Sequence, residues 1–309
     1  MKMWVNQIWK TLVKSFKGCG DDKIAKLSAS LAYTTVFSFA PLLIVIIFLC
    51  GIFLGQEAVQ GSINDQMQAF VGKEAAQDLQ GIIKNAAIGG KGTVAAVIGI
   101  ITLIIGATAV FAEIQDSINT IWGLRAKPKK GWLKIIKDRV LSFSIIVTLG
   151  FLLLVSLAVS AVIDALGKRL MASFPDVTVV VFYIINLIIS FIVTAGLFAV
   201  IFKVLPDATI KWKDVLPGAI ASALLFLVSK FGVSLYISKS NISSTYGAAG
   251  SLVILLLWVY FSSLILYFGA EFTKASAITR GRKIHPNDYA VAIQQVEVEK
   301  GRQAVGDRR

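Results

Sequence analysis

Long runs of apolar residues alternate with polar and charged stretches along the whole sequence. The six runs cover residues 31–54, 93–111, 141–163, 177–202, 215–236 and 248–270. An α-helix of about 20 residues rises about 30 Å, which matches the hydrocarbon thickness of a bilayer. The pattern therefore predicts an all-α polytopic membrane protein, in which a bundle of six transmembrane helices forms a single domain over residues 1–275.

Two further segments have apolar residues at helical spacing but lack the length of a span. In residues 3–17 an apolar residue recurs at every fourth position among lysines: Trp4, Ile8, Leu12 and Phe16 with Lys2, Lys10, Lys14 and Lys17. This spacing favours an interfacial helix held by apolar burial and anionic lipid. Residues 62–86 repeat the pattern and predict an outer amphipathic segment that lies on the membrane or caps the bundle. Residues 276–309 predict a polar cytoplasmic tail, mobile after Pro286.

Composition and charge agree with this architecture and orient it. With 56% hydrophobic residues and a mean hydropathy of +0.75, the chain has more apolar surface than a soluble core can hide. Most of the Lys and Arg residues that give the net charge of +13 fall on the side that holds both termini. By the positive-inside rule, that side is the cytoplasm. The positive charge therefore indicates orientation, and we expect no nucleic-acid partner.

The expected location is a bacterial inner (cytoplasmic) membrane, because the loops are compact and no Cys-rich ectodomain is present. No segment resembles a cleavable signal peptide, since the first apolar run starts near Leu31 and is longer than an h-region.

The first apolar run contains a proline among hydroxyl-bearing residues. Pro41 cannot donate a hydrogen bond to the carbonyl of Phe37, so the helix should kink or open there. A carbonyl freed in lipid must find another partner. The nearby Thr34, Thr35 and Ser38 could line a polar pathway for a solute or lipid with Pro41. The alternative is a packing kink without ligand chemistry.

Two polar residues lie inside later spans, where a polar group is costly unless it is paired or faces water. Asn186 is near the middle of the fourth span, and Lys230 is a turn or more inside the outer end of the fifth. Both are candidates for the same pathway. Alternatively, Asn186 bonds across helices and Lys230 extends its ammonium to the interface.

A second group of polar residues lies at the cytoplasmic boundary. The segment after the second span carries carboxylates and amides, and Glu271 ends the sixth span at the same depth. These residues could form an inner gate, or static ion pairs with the basic loops, with Lys26, Arg139 or Lys274 as the expected partner of Glu271. The candidate set is Lys26, Glu113, Gln115, Asn119, Arg139 and Glu271, with Asp116 beside it.

Small residues four apart indicate where helices could approach closely. Such pairs are Gly218 with Ser222, Gly247 with Ser251, and Ala95 with Gly99. Metal chemistry is not expected, because the sequence has one histidine, His285, and no cluster of typical ligands. We assign no cofactor and no catalytic residue.

Three ordered motifs resemble the YihY/BrkB family. They are AKLSASLAYTTVFSFAPLL from Ala25 to Leu43, PDATIKWKDVLPGA from Pro206 to Ala219, and STYGAAGSLVILLLWVYFSSLILYFGAEF from Ser244 to Phe272. The resemblance implies a six-span inner-membrane protein, of a kind usually described as a transporter or serum-resistance factor. Some members have carried the label ribonuclease BN. The residues here argue against a nuclease, because a zinc-dependent enzyme needs clustered His and carboxylate ligands and the sequence has one histidine. A metal-free mechanism would need an acid and a base positioned beside an exposed RNA groove.

Two functions fit this sequence. The first is a transporter or channel whose unknown solute passes between the helices, as the Pro41 kink and the boundary carboxylates suggest. The second is an envelope protein that handles lipids or acts as a scaffold, with membrane lipids as partners of a lateral groove. A continuous polar cavity would favour the first function. A packed centre with an apolar lateral groove would favour the second.

Overall fold

The computed structural model describes residues 2–38, 92–127, 175–239 and 250–293. These residues are mostly helical, with α1 at Lys2–Asp21, α2 at 24–38, α3 at Gly92–Ile121, α4 at Pro175–Val204, α5 at Trp212–Lys239 and α6 at Gly250–Thr279. Four short strands connect or follow these helices: β1 at Leu124–Ala126, β2 at Ala208–Thr209, β3 at His285–Pro286 and β4 at Ala290–Ala292. The amphipathic segment predicted at 62–86 and the span predicted at 141–163 lie outside the described residues.

Three of the described helices are long and apolar enough to cross a membrane. The qualifying segments are Leu187–Val204 in α4, Trp212–Ser229 in α5 and Leu252–Thr279 in α6. They overlap the fourth, fifth and sixth apolar runs of the sequence, and α3 contains the second run. The prediction of a mostly helical protein is therefore confirmed, and three of its helices are candidate membrane spans. The number of six spans stays a prediction.

Helix α5 packs against both α4 and α6, and its contact with α6 depends on glycine. A β-carbon on Gly218 would overlap the Thr273 hydroxyl and lie 2.5 Å from the carbonyl oxygen of Gly269. A β-carbon on Gly269 would in turn overlap the Ser222 hydroxyl. Small side chains thus let the two backbones approach, as the spacing of Gly218 and Ser222 predicted.

The core is built from apolar side chains of five helices and the segments that follow them. Phe202, Tyr267, Ile118 and Ile121 are fully buried there. Farther along α4 to α6 the contacts are aromatic, with Phe226 packed edge-on against Phe198 at 6.2 Å and against Trp258 at 6.0 Å. Apolar burial and aromatic packing together fix the relative positions of these three helices.

The four strands form a small cap at the end of the helices where α3, α4 and α6 finish. Strand β1 pairs antiparallel with β4, and β2 pairs antiparallel with β3. Two backbone bonds extend this pairing, from Lys127 to Tyr289 and from Ile293 to Gly123, both 2.7 Å. The pairing satisfies backbone groups that the loops would otherwise leave without partners.

The strand cap adds four short strands to the mostly helical described residues and corrects one expectation. The tail is not mobile immediately after Pro286, because residues 287–293 are held by β4 and its neighbouring bonds. No apolar run in this part of the sequence indicates this order. The segment is held mainly by backbone pairing with loops that are distant in sequence.

Candidate functional site

The carboxylate–lysine cluster joins α1 to α6 and consists of Asp22, Glu271 and Lys274. The Lys274 ammonium lies 2.8 Å from Asp22 Oδ2 and 3.2 Å from Glu271 Oε2. Glu271 is only 3% exposed, whereas the side chains of Asp22 and Lys274 keep about a fifth to a quarter of their surface exposed. One ammonium therefore bridges a buried carboxylate and a partly exposed one.

The sequence of α1 makes room for this cluster. The Glu271 carboxylate occupies the place that a β-carbon on residue 18 would take, so Gly18 allows α1 to lie directly against it. One turn earlier, the rings of Phe16 and Phe268 pack at 5.3 Å. The buried hydroxyl of Ser15 donates to the carbonyl of Thr11 at 2.8 Å and so needs no partner on α6.

Cys19 lies half-buried beside the cluster. Burial, followed by the negative charges of Glu271 and Asp22, raises the pKa of its thiol to about 11. At neutral pH the side chain is thus a protonated thiol, which is weakly nucleophilic. The raised pKa of Cys19 reflects burial and also the local charge, because two carboxylates and one ammonium group lie nearby.

The Asp207 clamp is a second polar group and holds the loop after α4 against α3. Asn119 donates to Asp207 Oδ2 at 2.9 Å and accepts from the Asp207 backbone N–H at 2.9 Å. Gln115 donates to the other carboxylate oxygen at 3.0 Å. The backbone carbonyl of Asp207 accepts from the N–H of Asn287 at 3.0 Å, so the clamp also reaches the strand cap. Asp207 is only 4% exposed.

Additional carboxylates lie next to the clamp on α3. The pKa of the partly exposed Asp116 is raised, first by burial and then by the negative charges of Glu113 and Asp207. Glu113 is half-buried on the same helix. The end of α3 therefore combines carboxylates with amide donors.

The two polar groups flank the same end of α6. The indole of Trp122, which directly follows α3, donates to the carbonyl of Ala270 at 3.0 Å. That carbonyl belongs to the residue before Glu271, so α3 and α1 contact adjacent positions of α6. Trp122 thus joins the end of α3 to the same end of α6 that carries Glu271.

The residues predicted for the first span make local bonds. The hydroxyl of Thr34 donates to the carbonyl of Ser30 at 3.0 Å, and that of Ser38 donates to the carbonyl of Thr34 at 2.9 Å. Ser38 also faces α3, where a β-carbon on Gly106 would lie 2.9 Å from its hydroxyl oxygen. Thr35 is half-buried. These hydroxyls donate within their own helix, which is the packing alternative for such residues.

The other predicted site residues are spread more widely. Lys274, and not the exposed Lys26, pairs with Glu271. Pro41 and Arg139 lie outside the described residues. Asn186 and Lys230 are on α4 and α5, and their side chains are likewise outside the described part of the structure.

Sequence reasoning missed Asp22, Asp207, Gly18 and Trp122. Asp207 stands in the motif PDATIKWKDV, which was noted for its family resemblance and not for this carboxylate. Asp22 stands in the polar link between α1 and α2, where a charged residue is ordinary. Among the described residues, no group of His, Cys, Asp or Glu side chains could hold a metal ion.

Comparison with known proteins gives a family and no activity. The model of the family described as "Virulence factor BrkB" matches residues 15–291. Similar proteins include a UPF0761 membrane protein of Stenotrophomonas maltophilia strain K279a, 28% identical over 84% of this chain and 59% of its own length. Another, from Ralstonia nicotianae, is 24% identical over 86% of this chain and 58% of its own length.

A third relative is nearer in length. The UPF0761 membrane protein of Pseudoalteromonas atlantica is 27% identical over 82% of each chain. The chain spans about three fifths of the length of the first two relatives. No solved structure matches the chain.

Proposed function

Because the chain belongs to the virulence factor BrkB family and its relatives are named as membrane proteins, we propose that it is a transporter or channel of the bacterial inner membrane. Its solute is unidentified. The observation that carries the proposal is the carboxylate–lysine cluster, which links α1 to the end of a candidate spanning helix. Buried charged groups at the end of a spanning helix are costly and are typical of ion and solute pathways.

In this proposal the cluster is an inner gate in its closed state. Lys274 holds Asp22 and Glu271 together, and the glycine at position 18 lets α1 seal against α6. Opening the gate would separate α1 from α6 and expose the carboxylates to water. Ion pairs that rearrange between two states are a common device in such transitions.

The proposal includes the full topology of six spans with both termini in the cytoplasm. The distribution of basic residues supports it. Reporter fusions test it: a fusion after residue 309 should be active only in the cytoplasm, and one near Gly90 only outside. A C-terminus outside the cytoplasm would overturn the six-span arrangement.

Transport is tested with purified protein in proteoliposomes and a panel of inorganic ions and small organic acids. Wild-type protein should carry at least one of these solutes above the rate of protein-free vesicles. Glu271→Gln should raise the leak of that solute, because it weakens the closure of α1 on α6. If folded wild-type protein and Glu271→Gln both match empty vesicles across the panel, the transport proposal fails.

A role in handling lipids is the second candidate. It is favoured by α1, whose exposed side chains include Trp9 and Phe16 together with lysines. The same proteoliposomes test it, since transfer of a fluorescent phospholipid between leaflets can be followed by chemical quenching from outside. Lipid transfer without solute flux would favour this candidate over transport.

We also propose that the chain is not an enzyme and binds no nucleic acid, with membrane lipids as its expected partners. The single histidine of the sequence supports this proposal, because a zinc-dependent nuclease needs clustered His and carboxylate ligands. RNA cleavage by purified protein, abolished by a point substitution in this chain, would overturn it.

A further inference from the structure

The surface of α1 has three sectors, which lie around the helix axis and each extend along its length. The buried sector faces α6 and contains Thr11, Ser15 and Gly18. The apolar sector is formed by side chains that are unusually exposed for their type: Ile8, Trp9, Val13 and Phe16. The basic sector contains Lys10, Lys14 and Lys17, all exposed. At 100° per residue these sets follow one another around the helix, with Ile8 at the border between the apolar and the buried sectors.

The described residues leave most of the apolar sector uncovered. Trp9 is 65% exposed and Phe16 is 67% exposed, although large aromatic side chains dominate protein cores and interfaces. The buried sector is the unusual one for a soluble helix, because it is small and polar and its hydroxyls bond within α1. The helix therefore turns its polar small residues toward the protein and its apolar residues outward.

The apolar sector continues onto a candidate membrane-spanning helix. Phe16 packs on Phe268 at 5.3 Å, and Phe268 packs on Phe272 at 6.3 Å. Both phenylalanines belong to the segment Leu252–Thr279, which is long and apolar enough to cross a membrane. The surface beside Phe268 is thus expected to meet acyl chains, and α1 extends that surface. The adjacent lysines then face the level of the lipid headgroups.

We propose that anionic phospholipid binds along α1 and, by holding α1 on α6, keeps the carboxylate–lysine cluster closed. Apolar side chains beside a row of lysines complement a negatively charged membrane surface, to which each lysine contributes about fivefold in affinity. The same helix carries Gly18 and precedes Asp22, so its position controls the contacts of Glu271 and Lys274. This regulatory role rests on the proposed function of the cluster as a gate. The lipid binding itself does not.

The first experiment locates the apolar sector. Wild-type protein and Trp9→Phe are placed in nanodiscs made with brominated phosphatidylcholine, which quenches tryptophan in contact with acyl chains. The brominated lipid should quench a part of the wild-type fluorescence that is missing in Trp9→Phe. That difference would show that Trp9 contacts the acyl chains. If Trp9 is not quenched, the sector is covered by protein, such as a second copy or another partner, and the lipid proposal is wrong.

The second experiment follows closure of the cluster through Cys19, in a Cys50→Ser background. Cys19 is half-buried beside Glu271 and Asp22, so separation of α1 from α6 would speed its reaction with a maleimide. Replacing phosphatidylcholine by phosphatidylglycerol should slow that reaction severalfold, and high salt should cancel the effect. A rate that does not depend on phosphatidylglycerol would overturn the proposal.

Matched variants separate the α1 lysines from general charge. Replacing Lys10, Lys14 and Lys17 together by Gln should abolish the dependence on phosphatidylglycerol. The control replaces Lys127, Lys211 and Lys283, which are exposed on or beside the strand cap, and should retain the dependence. Equal dependence in the two triple variants would contradict a specific role of α1. Neither readout uses transport, so failure of the transport proposal remains distinguishable.

Discussion

Gly18 of α1 lies so close to Glu271 of α6 that the Glu271 carboxylate occupies the space of a β-carbon at position 18. The two residues are far apart in sequence, and neither is unusual in its own segment. Their contact allows Asp22, one turn later, to reach the ammonium of Lys274. The absence of a side chain at Gly18 therefore leaves room for the buried Glu271 carboxylate.

The first prediction follows from this contact. Gly18→Ala should destabilise the protein by about 1–3 kcal/mol, because the added methyl group displaces the Glu271 carboxylate. Gly20 provides a matched control in the same helix, since nothing lies within 4 Å of its β-carbon position. Gly20→Ala should be neutral or stabilising by at most about 1 kcal/mol. Thermal unfolding in one detergent compares the two variants, and equal melting temperatures would refute the contact.

The second prediction concerns the contact of α5 with α6. Gly218→Ala should lower stability by about 1–3 kcal/mol, because its methyl group would meet the Thr273 hydroxyl and the Gly269 carbonyl. Gly196 of α4 is the control, with open space at its β-carbon position. Thermal unfolding should place Gly196→Ala near or above wild type. A loss at Gly196 as large as at Gly218 would contradict the helix contact as the cause, because Gly→Ala by itself raises helix propensity.

The sequence predicted the helices well because long apolar runs carry their own signal. The segments that became α4 and α5 were placed within a few residues, whereas α6 continues to Thr279, beyond the predicted end of the sixth run at residue 270. The role of Gly218 followed from its spacing with Ser222. The polar contacts were harder to predict. Asp207 and Asn119 are 88 residues apart, and nothing in the local pattern of either segment specifies the other. The strand pairing in the strand cap was equally hard to predict from local sequence, because it depends on the tertiary arrangement.

The third prediction tests the Asp207 clamp. Asn119→Ala removes two bonds to Asp207 and leaves a buried carboxylate oxygen and a backbone N–H without them, so stability should fall by about 1–3 kcal/mol. Thr120→Ala is the neighbouring control, because its exposed hydroxyl bonds only to its own helix, at the carbonyl of Asp116. Hydrogen exchange should also become faster at the Asp207 amide in Asn119→Ala alone. Unchanged exchange there would contradict the clamp.

The fourth prediction concerns the pH dependence of stability at Asp116. Its pKa in the folded protein is raised above the ordinary 3.8, so the folded state binds this proton more tightly than the unfolded state. Ionisation of Asp116 therefore lowers stability as pH rises above that ordinary value. Asp116→Asn should be more stable than wild type at neutral pH, and the difference should shrink in acid. Asp288→Asn, at an exposed turn, is the control in the same pH series of unfolding curves. The same pH-dependent gain in both variants would count against the environment of Asp116.

The fifth prediction ranks the members of the carboxylate–lysine cluster. Lys274→Met leaves two carboxylates together without their shared ammonium, so it should cost about 3–5 kcal/mol. Glu271→Gln keeps the pair of Lys274 with Asp22 and should cost less, about 1–3 kcal/mol. Glu299→Gln, in the charged C-terminal segment, is the reference and should match wild type. Glu271→Gln also removes one of the two negative charges that repel each other. Adding it to Lys274→Met should therefore recover part of the lost stability. Chemical unfolding of the four variants in one detergent gives the order, and a double variant less stable than Lys274→Met would show that repulsion between Asp22 and Glu271 is not the cause.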